Sequence, residues 1–138
     1  MTRREAREQA FILTFEREFR AGEVPEELYA FELEAQGLRD AAYTKALFLG
    51  TMEKSAEIDA VIESASTAWK VGRISRVSLA VLRIAVYEML FGGAVEYAIA
   101  INEAVELAKK YEGKEGAAFV NGVLGGIAKS HPETKQAD

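Results

Sequence analysis

Three arginines close to the start of the chain, Arg3, Arg4 and Arg7, carry the clearest chemistry in its 138 residues. A guanidinium is planar and permanently charged, and its forked donors match the oxygens of a phosphate. On a helical wheel Arg3 and Arg7 project about 40° apart, and Arg17 lies about 40° on the far side of Arg3. Cations in a first helical turn oppose the helix dipole. The placement fits either a solvated helix start or a phosphate contact. Phe119, after Ala117-Ala118, is a core aromatic or a platform on which a base stacks. Catalytic chemistry finds little support. Cysteine is absent, so disulfides, thiolate metal sites and a cysteine nucleophile are excluded. His131 is the single histidine, and the glutamates form no Glu-x-x-His pair of the di-iron kind. No phosphate-cradling glycine loop and no nucleophile–base pair is found. The reading is a binding protein that needs no metal or cofactor.

Seventeen basic and 22 acidic residues give a net charge of −5, a poor starting point for a nucleic-acid binder. Its distribution matters more. Residues 1–20 hold five arginines against four glutamates, residues 23–40 six acids against one arginine, and residues 67–95 four basic residues against one acid. Charge runs of this size are also what an ordinary solvated surface carries. No run approaches the ~18–20 apolar residues of a membrane span, and the first residues lack a signal-type apolar stretch. The default expectation is one cytoplasmic domain, residues 1–138, with residues 131–138 as a flexible tail.

The elements that must position these residues read as helices throughout. Thr2 and Glu5 form a capping box for a helix reaching about Arg20, with Phe11, Ile12, Phe15 and Phe19 on one face and Leu13 off it. Pro25 opens a short helix to about Gly37, with Leu28, Phe31 and Leu38 inward. Asp40 is the expected cap of the next helix, which Gly50 loosens before Ile58, Val61, Ile62 and Ala65 resume. Trp69 and Gly72 fall in a connection. Ser75 caps the most apolar helix, Arg76 to Phe91, which belongs at the centre of an all-α bundle and ends at Gly92-Gly93. Arg83 within it requires a carboxylate, from Glu88, Glu103 or Glu106. A helix from about Ala98 to Tyr111, with a Glu106–Lys110 surface pair, stops at Gly113. The last runs from about Glu115 to Lys129. Gly122, Gly125 and Gly126 would let a neighbouring helix approach closely, and Asn102 and Asn121 read as interior or capping amides.

Three stretches together resemble the NusB family of transcription antitermination factors. They are Arg-Arg-Glu-Ala-Arg-Glu at 3–8, Leu-Arg-Ile-Ala-Val-Tyr-Glu at 82–88, and Ala-Ile-Asn-Glu-Ala-Val-Glu-Leu-Ala-Lys-Lys-Tyr at 100–111 with Phe-Val-Asn-Gly-Val-Leu at 119–124. Order, spacing and length agree over nearly the whole chain. The resemblance implies a compact bundle of about seven helices in two packed sub-bundles. It also implies a non-catalytic protein that pairs with NusE, a small-subunit ribosomal protein. The pair would bind boxA RNA and join the antitermination complex of RNA polymerase on ribosomal RNA operons. Carried over by motif, the RNA side would use Arg3, Arg4, Arg7, Lys114, Glu115 and Phe119, while Phe15 and Ser78 would lie toward the partner. The chain departs from the family pattern at Glu5, where another basic residue is common, at Ser78, where an acid is common, and at Glu96-Tyr97, which replaces a proline. The resemblance leaves monomer or homodimer open.

Two other readings stand beside an RNA binder. One is a protein–protein adaptor whose partner alone touches RNA, which Glu5 favours. The other is a stand-alone relative of the helical module fused to ribosomal RNA methyltransferases. With no Rossmann-type segment, the chain itself would carry no methyltransferase activity.

Overall fold

A computed structural model describes residues 1–66, 71–92 and 95–134. The described residues form helices and no strand. In chain order these are α1 (Arg3–Arg17), α2 (Pro25–Gln36), α3 (Ala42–Glu53), α4 (Ser55–Ala65), α5 (Arg76–Val86) and α6 (Tyr97–Ser130). A short 3-10 turn spans Val71–Arg73, and a π-helical turn, Tyr87–Phe91, continues α5. Gly113, at φ 77°, breaks α6 into two arms, a backbone region that only glycine enters without strain. Counting both arms gives seven helical segments. The predicted connection at Trp69 and the second glycine of the Gly92-Gly93 stop lie outside the described residues.

Local signals set most of the helix starts. Thr2 and Glu5 make the reciprocal capping box of α1, Pro25 occupies the first turn of α2, and the Ser75 side chain accepts from the Ser78 N–H at the start of α5. The start of α3 differs from expectation. Ala41 is its N-cap and gives no side-chain bond, because the Asp40 carboxylate accepts instead from the Tyr29 hydroxyl at 2.7 Å. α3 also runs straight through Gly50 instead of loosening there. A Cβ at Gly50 would stand 2.3 Å from the Tyr87 ring, so glycine serves close approach, not flexibility.

Helices α1, α2 and α3 pack on one another, as do α4, α5 and α6, and α5 joins the groups by lying against α1 and α3. α5 is the centre: Ser78 to Leu82 and Ile84 to Val86 are buried. Tertiary packing overrides the wheel elsewhere. In α1 the buried residues include Ala10, Phe11 and Leu13, whereas Phe19, beyond the helix end, is 54% exposed. α1 meets both α3 and α5, so its inward arc is wider than one aromatic stripe. In α2, Leu28 and Tyr29 are buried and Phe31 is 51% exposed. Arg83 pairs with Asp59 through two 2.9 Å bonds and with Glu18 at 2.8 Å, not with the glutamates nearer in sequence. Gly122, Gly125 and Gly126 face open space instead of a neighbouring helix. Residues 131–134 are tied to the start of α6: Tyr97 donates from its N–H to Glu133 at 2.8 Å and from its hydroxyl to the His131 carbonyl at 2.7 Å.

Candidate nucleic-acid interface

The capping box fixes the opening turn of α1, and the three arginines leave it in different directions. Arg7 turns inward and is only 6% exposed. Its Nε donates to both oxygens of Glu88, at 2.9 and 3.0 Å, and the Tyr43 hydroxyl donates to the same carboxylate. Glu88 is presented by the π-helical turn after α5, Tyr43 by α3. Burial works against the charge of Arg7, and Glu88 more than offsets it, so the guanidinium is held charged. Burial and the bond to Glu88 push the Tyr43 phenol up to about 12. The expectation of three arginines presented side by side is therefore corrected. One of them is a buried tie between α1, α3 and the end of α5.

Arg3 and Arg4 remain at the surface. The Arg3 guanidinium lies 3.9 Å from the centre of the Tyr43 ring, a stacked cation–π contact. Arg4 reaches across to α6 and holds Glu103 at 2.8 and 3.0 Å, with its side chain 64% exposed. Its bond holds the Glu103 carboxyl below the usual carboxylate value, and Glu103 raises Arg4 in return. One helical turn further, Glu8 accepts from Lys110 at 2.6 Å and from the Tyr111 hydroxyl. Lys110 thus pairs across to α1 instead of with Glu106. Burial opposes ionisation of Glu8, but these two donors hold its carboxyl low. The Phe11 and Tyr111 rings follow at 4.7 Å, then Phe15 and Phe19 at 5.3 Å, with the Arg76 guanidinium 4.9 Å from the Phe19 ring. Since positions 4, 8, 11 and 15 share a helix face, α1 and the first arm of α6 run alongside each other, joined by a row of long polar and aromatic side chains.

The other predicted residues gather beyond Gly113. Lys114 and Glu115 are exposed, and Phe119 is half-buried against the core. Glu115 and Phe119 line a concavity of about 350 Å³ together with Ser78, whose hydroxyl donates to Glu112 at 2.7 Å. Phe119, assigned to the RNA side, and Ser78, assigned toward the partner, share this groove. Arg3 lines a separate concavity of about 410 Å³ with Tyr43, and no residue lines both. Asn102 and Asn121 are exposed amides, not interior ones. Sequence reading gave Tyr43 no part in the site, and it offered Glu88 and Glu103 to Arg83 instead of to Arg7 and Arg4. A lone carboxylate in the most apolar helix demands a cation, and that is the signal by which Glu88 could have been found. It did not say which arginine would answer.

Among the described residues no group of histidines and carboxylates could hold a metal, and no helix is long and apolar enough to cross a membrane. Exposed arginines beside exposed aromatic rings supply two things: charge for phosphate oxygens and flat faces for unpaired bases. Comparisons with known proteins identify the family. The sequence model of the NusB family matches residues 4–129. The transcription antitermination protein NusB of Ruminiclostridium cellulolyticum is 39% identical over 130 residues, covering 94% of this chain and 90% of that protein. T. maritima NusB superposes with a TM-score of 0.84 at 34% identity, over 95% of this chain and 93% of that one. A crystal structure of antitermination factors NusB and NusE in complex with dsRNA gives a TM-score of 0.82 at 32% identity, over 94% of this chain and 97% of the matched chain.

Proposed function

The chain belongs to the NusB family, a family of non-enzymatic transcription antitermination factors, and from that premise we propose that it binds boxA-type single-stranded RNA as a heterodimer with NusE, supporting RNA polymerase through ribosomal RNA operons in the cytoplasm. The observation that carries this reading is the exposed pair Arg3 and Arg4 at the head of the Phe11, Tyr111, Phe15 and Phe19 row. The Arg4–Glu103 pair is no obstacle. An exposed ion pair is worth about 0–1 kcal/mol, so a phosphate can share or displace it. Arg7 acts as a positioning residue that holds the turn displaying the other two. Lys114 and Phe119 extend the surface beyond the bend in α6, where a half-buried ring can meet a splayed base. Glu115, an anion beside them, shapes this edge and limits its charge.

The net charge of −5 makes the chain alone a weak polyanion binder. A basic partner completes the electrostatic surface, and affinity then rises with falling salt. Electrophoretic titration of boxA-type RNA with and without NusE tests the proposal. The expected result is weak binding alone, tight binding with NusE, and clear weakening of the ternary complex by Arg4→Ala. Binding to the pair that is indifferent to Arg4→Ala, with no crosslink from RNA to residues 3–7, replaces this reading by the adaptor one. The engagement of Arg4 by Glu103 and Arg7 by Glu88 is what favours that alternative.

A further inference from the structure

The connection between α2 and α3 is clamped onto α1 by one buried side chain. Gln9, 8% exposed, donates from Nε2 to the Arg39 carbonyl at 2.9 Å and accepts at Oε1 from the Arg39 N–H at 2.9 Å. Its Nε2 also donates to Thr44 Oγ1 at 3.2 Å, and Thr44 donates to the Ala6 carbonyl at 3.1 Å. Both backbone groups of Arg39 are thus fixed, while its side chain is exposed and forms no direct ion pair among the described residues, though its charge helps, after the Thr2 bonds, to hold the Glu5 carboxyl low. The clamp sets Arg39 in the lining of the 410 Å³ concavity that Thr2, Arg3 and Tyr43 also line. That volume lies within the ~300–1,000 Å³ of ligand-holding concavities. Asp40 also lines it, but its carboxylate accepts from the Tyr29 hydroxyl. Arg3, stacked on an aromatic ring, and Arg39, clamped at its backbone, thus line one hollow, and neither forms a direct ion pair among the described residues.

We propose that this hollow is a further phosphate subsite, in which Arg39 and Arg3 hold a backbone phosphate of the RNA after the strand has crossed the opening turn of α1 from the Arg4 side. The inference rests on the RNA-binding function proposed for the chain and adds Arg39, which lies outside all three family-like stretches of the sequence. A guanidinium fork matches phosphate and carboxylate oxygens alike; a phosphate is favoured because an RNA strand held at Arg4 brings further phosphates to this edge.

The test is fluorescence anisotropy of labelled boxA-type RNA on the complex with NusE, over a series of salt concentrations. For single strands each phosphate contact contributes a slope of about 0.7 in log affinity against log salt. Arg39→Gln is expected to lower the slope by about 0.7 and the affinity by about fivefold at 0.1 M salt. Arg39→Lys keeps most of the slope. Lys129→Gln, an exposed charge in the last turn of α6, leaves it unchanged. Arg39→Gln retains the Gln9 clamp, because the clamp uses backbone atoms, and unaltered thermal melting checks this. If Arg4→Ala weakens binding and Arg39→Gln does not, the subsite is wrong and the RNA reading stands. If neither matters, both fail. Equal losses from Lys129→Gln and Arg39→Gln mean diffuse charge only and overturn the subsite.

Discussion

Arg4 and Arg7 are the same side chain three residues apart, each bonded to a carboxylate more than 80 residues away in sequence. Their surroundings make them opposites. Arg4 is 64% exposed at the side chain and meets Glu103 at the solvent boundary, whereas Arg7 and Glu88 are 8% and 4% exposed with Tyr43 closing the site. In water the pair is nearly neutral energetically and therefore exchangeable. In the interior either partner alone would be a stranded charge, so that pair is permanent. A run of arginines in one motif is thus not a run of equivalent ligands. Burial decides which of them is architecture and which is surface.

That contrast can be broken most forcefully at its buried end. Arg7→Ala removes the buried guanidinium that Glu88 pairs with across α1 and is expected to cost about 3–5 kcal/mol in urea unfolding. The double change Arg7→Met with Glu88→Leu recovers most of this loss. If Arg7→Ala is silent, the distinction between the two arginines disappears. Next comes Gly50→Ala, whose Cβ would meet the Tyr87 ring at 2.3 Å, one residue before Glu88. Overpacking of this kind costs about 1–3 kcal/mol. Loss of stability without loss of RNA binding by the remaining folded protein would sharpen the separation between scaffold and contact surface. Arg4→Ala is expected to leave stability nearly unchanged, because its ion pair is exposed, while weakening RNA binding, the reverse pattern.

The smallest effect is acid sensitivity. Glu103 and Glu8 have folded-state values below the ordinary 4.5. Each contributes stability above its unfolded value that is lost as pH falls through the lower folded value. Thermal melts from pH 6 to pH 3 are expected to show a modest decline beginning below about pH 4.5. The decline should be smaller in a Glu103→Gln variant.

Much of the scaffold was legible because its signals are local. The capping box at Thr2 and Glu5, Pro25, Ser75 and the break at Gly113 each act within a few residues. The apolar girdle of α5 announced its own central position. What escaped was set by distant partners. Arg7 meets Glu88 across 81 residues, and Arg83 meets Glu18 and Asp59 across 65 and 24. Asp40 had the right residue type and place to cap α3, yet Tyr29 claimed it first. Phe19 and Phe31 carried the right periodicity for burial, but one lies past its helix end and the other on the side of α2 away from its neighbours. The candidate surface was half legible: the exposed arginines were visible as a motif, while Glu88 and Glu103, which pair with Arg7 and Arg4, belong to other helices, and Gln9, on α1 itself, clamps a connection 30 residues away.

The stacking of Arg3 on Tyr43 gives the molecule an intrinsic optical reporter. The ring senses a positive charge on one face and its hydroxyl is anchored in the interior, so its near-ultraviolet absorption depends on where that guanidinium sits. A ligand that draws Arg3 aside alters the chromophore directly. Difference spectroscopy on unlabelled protein, with Tyr43→Phe as the blank, can therefore follow occupancy at this edge in real time.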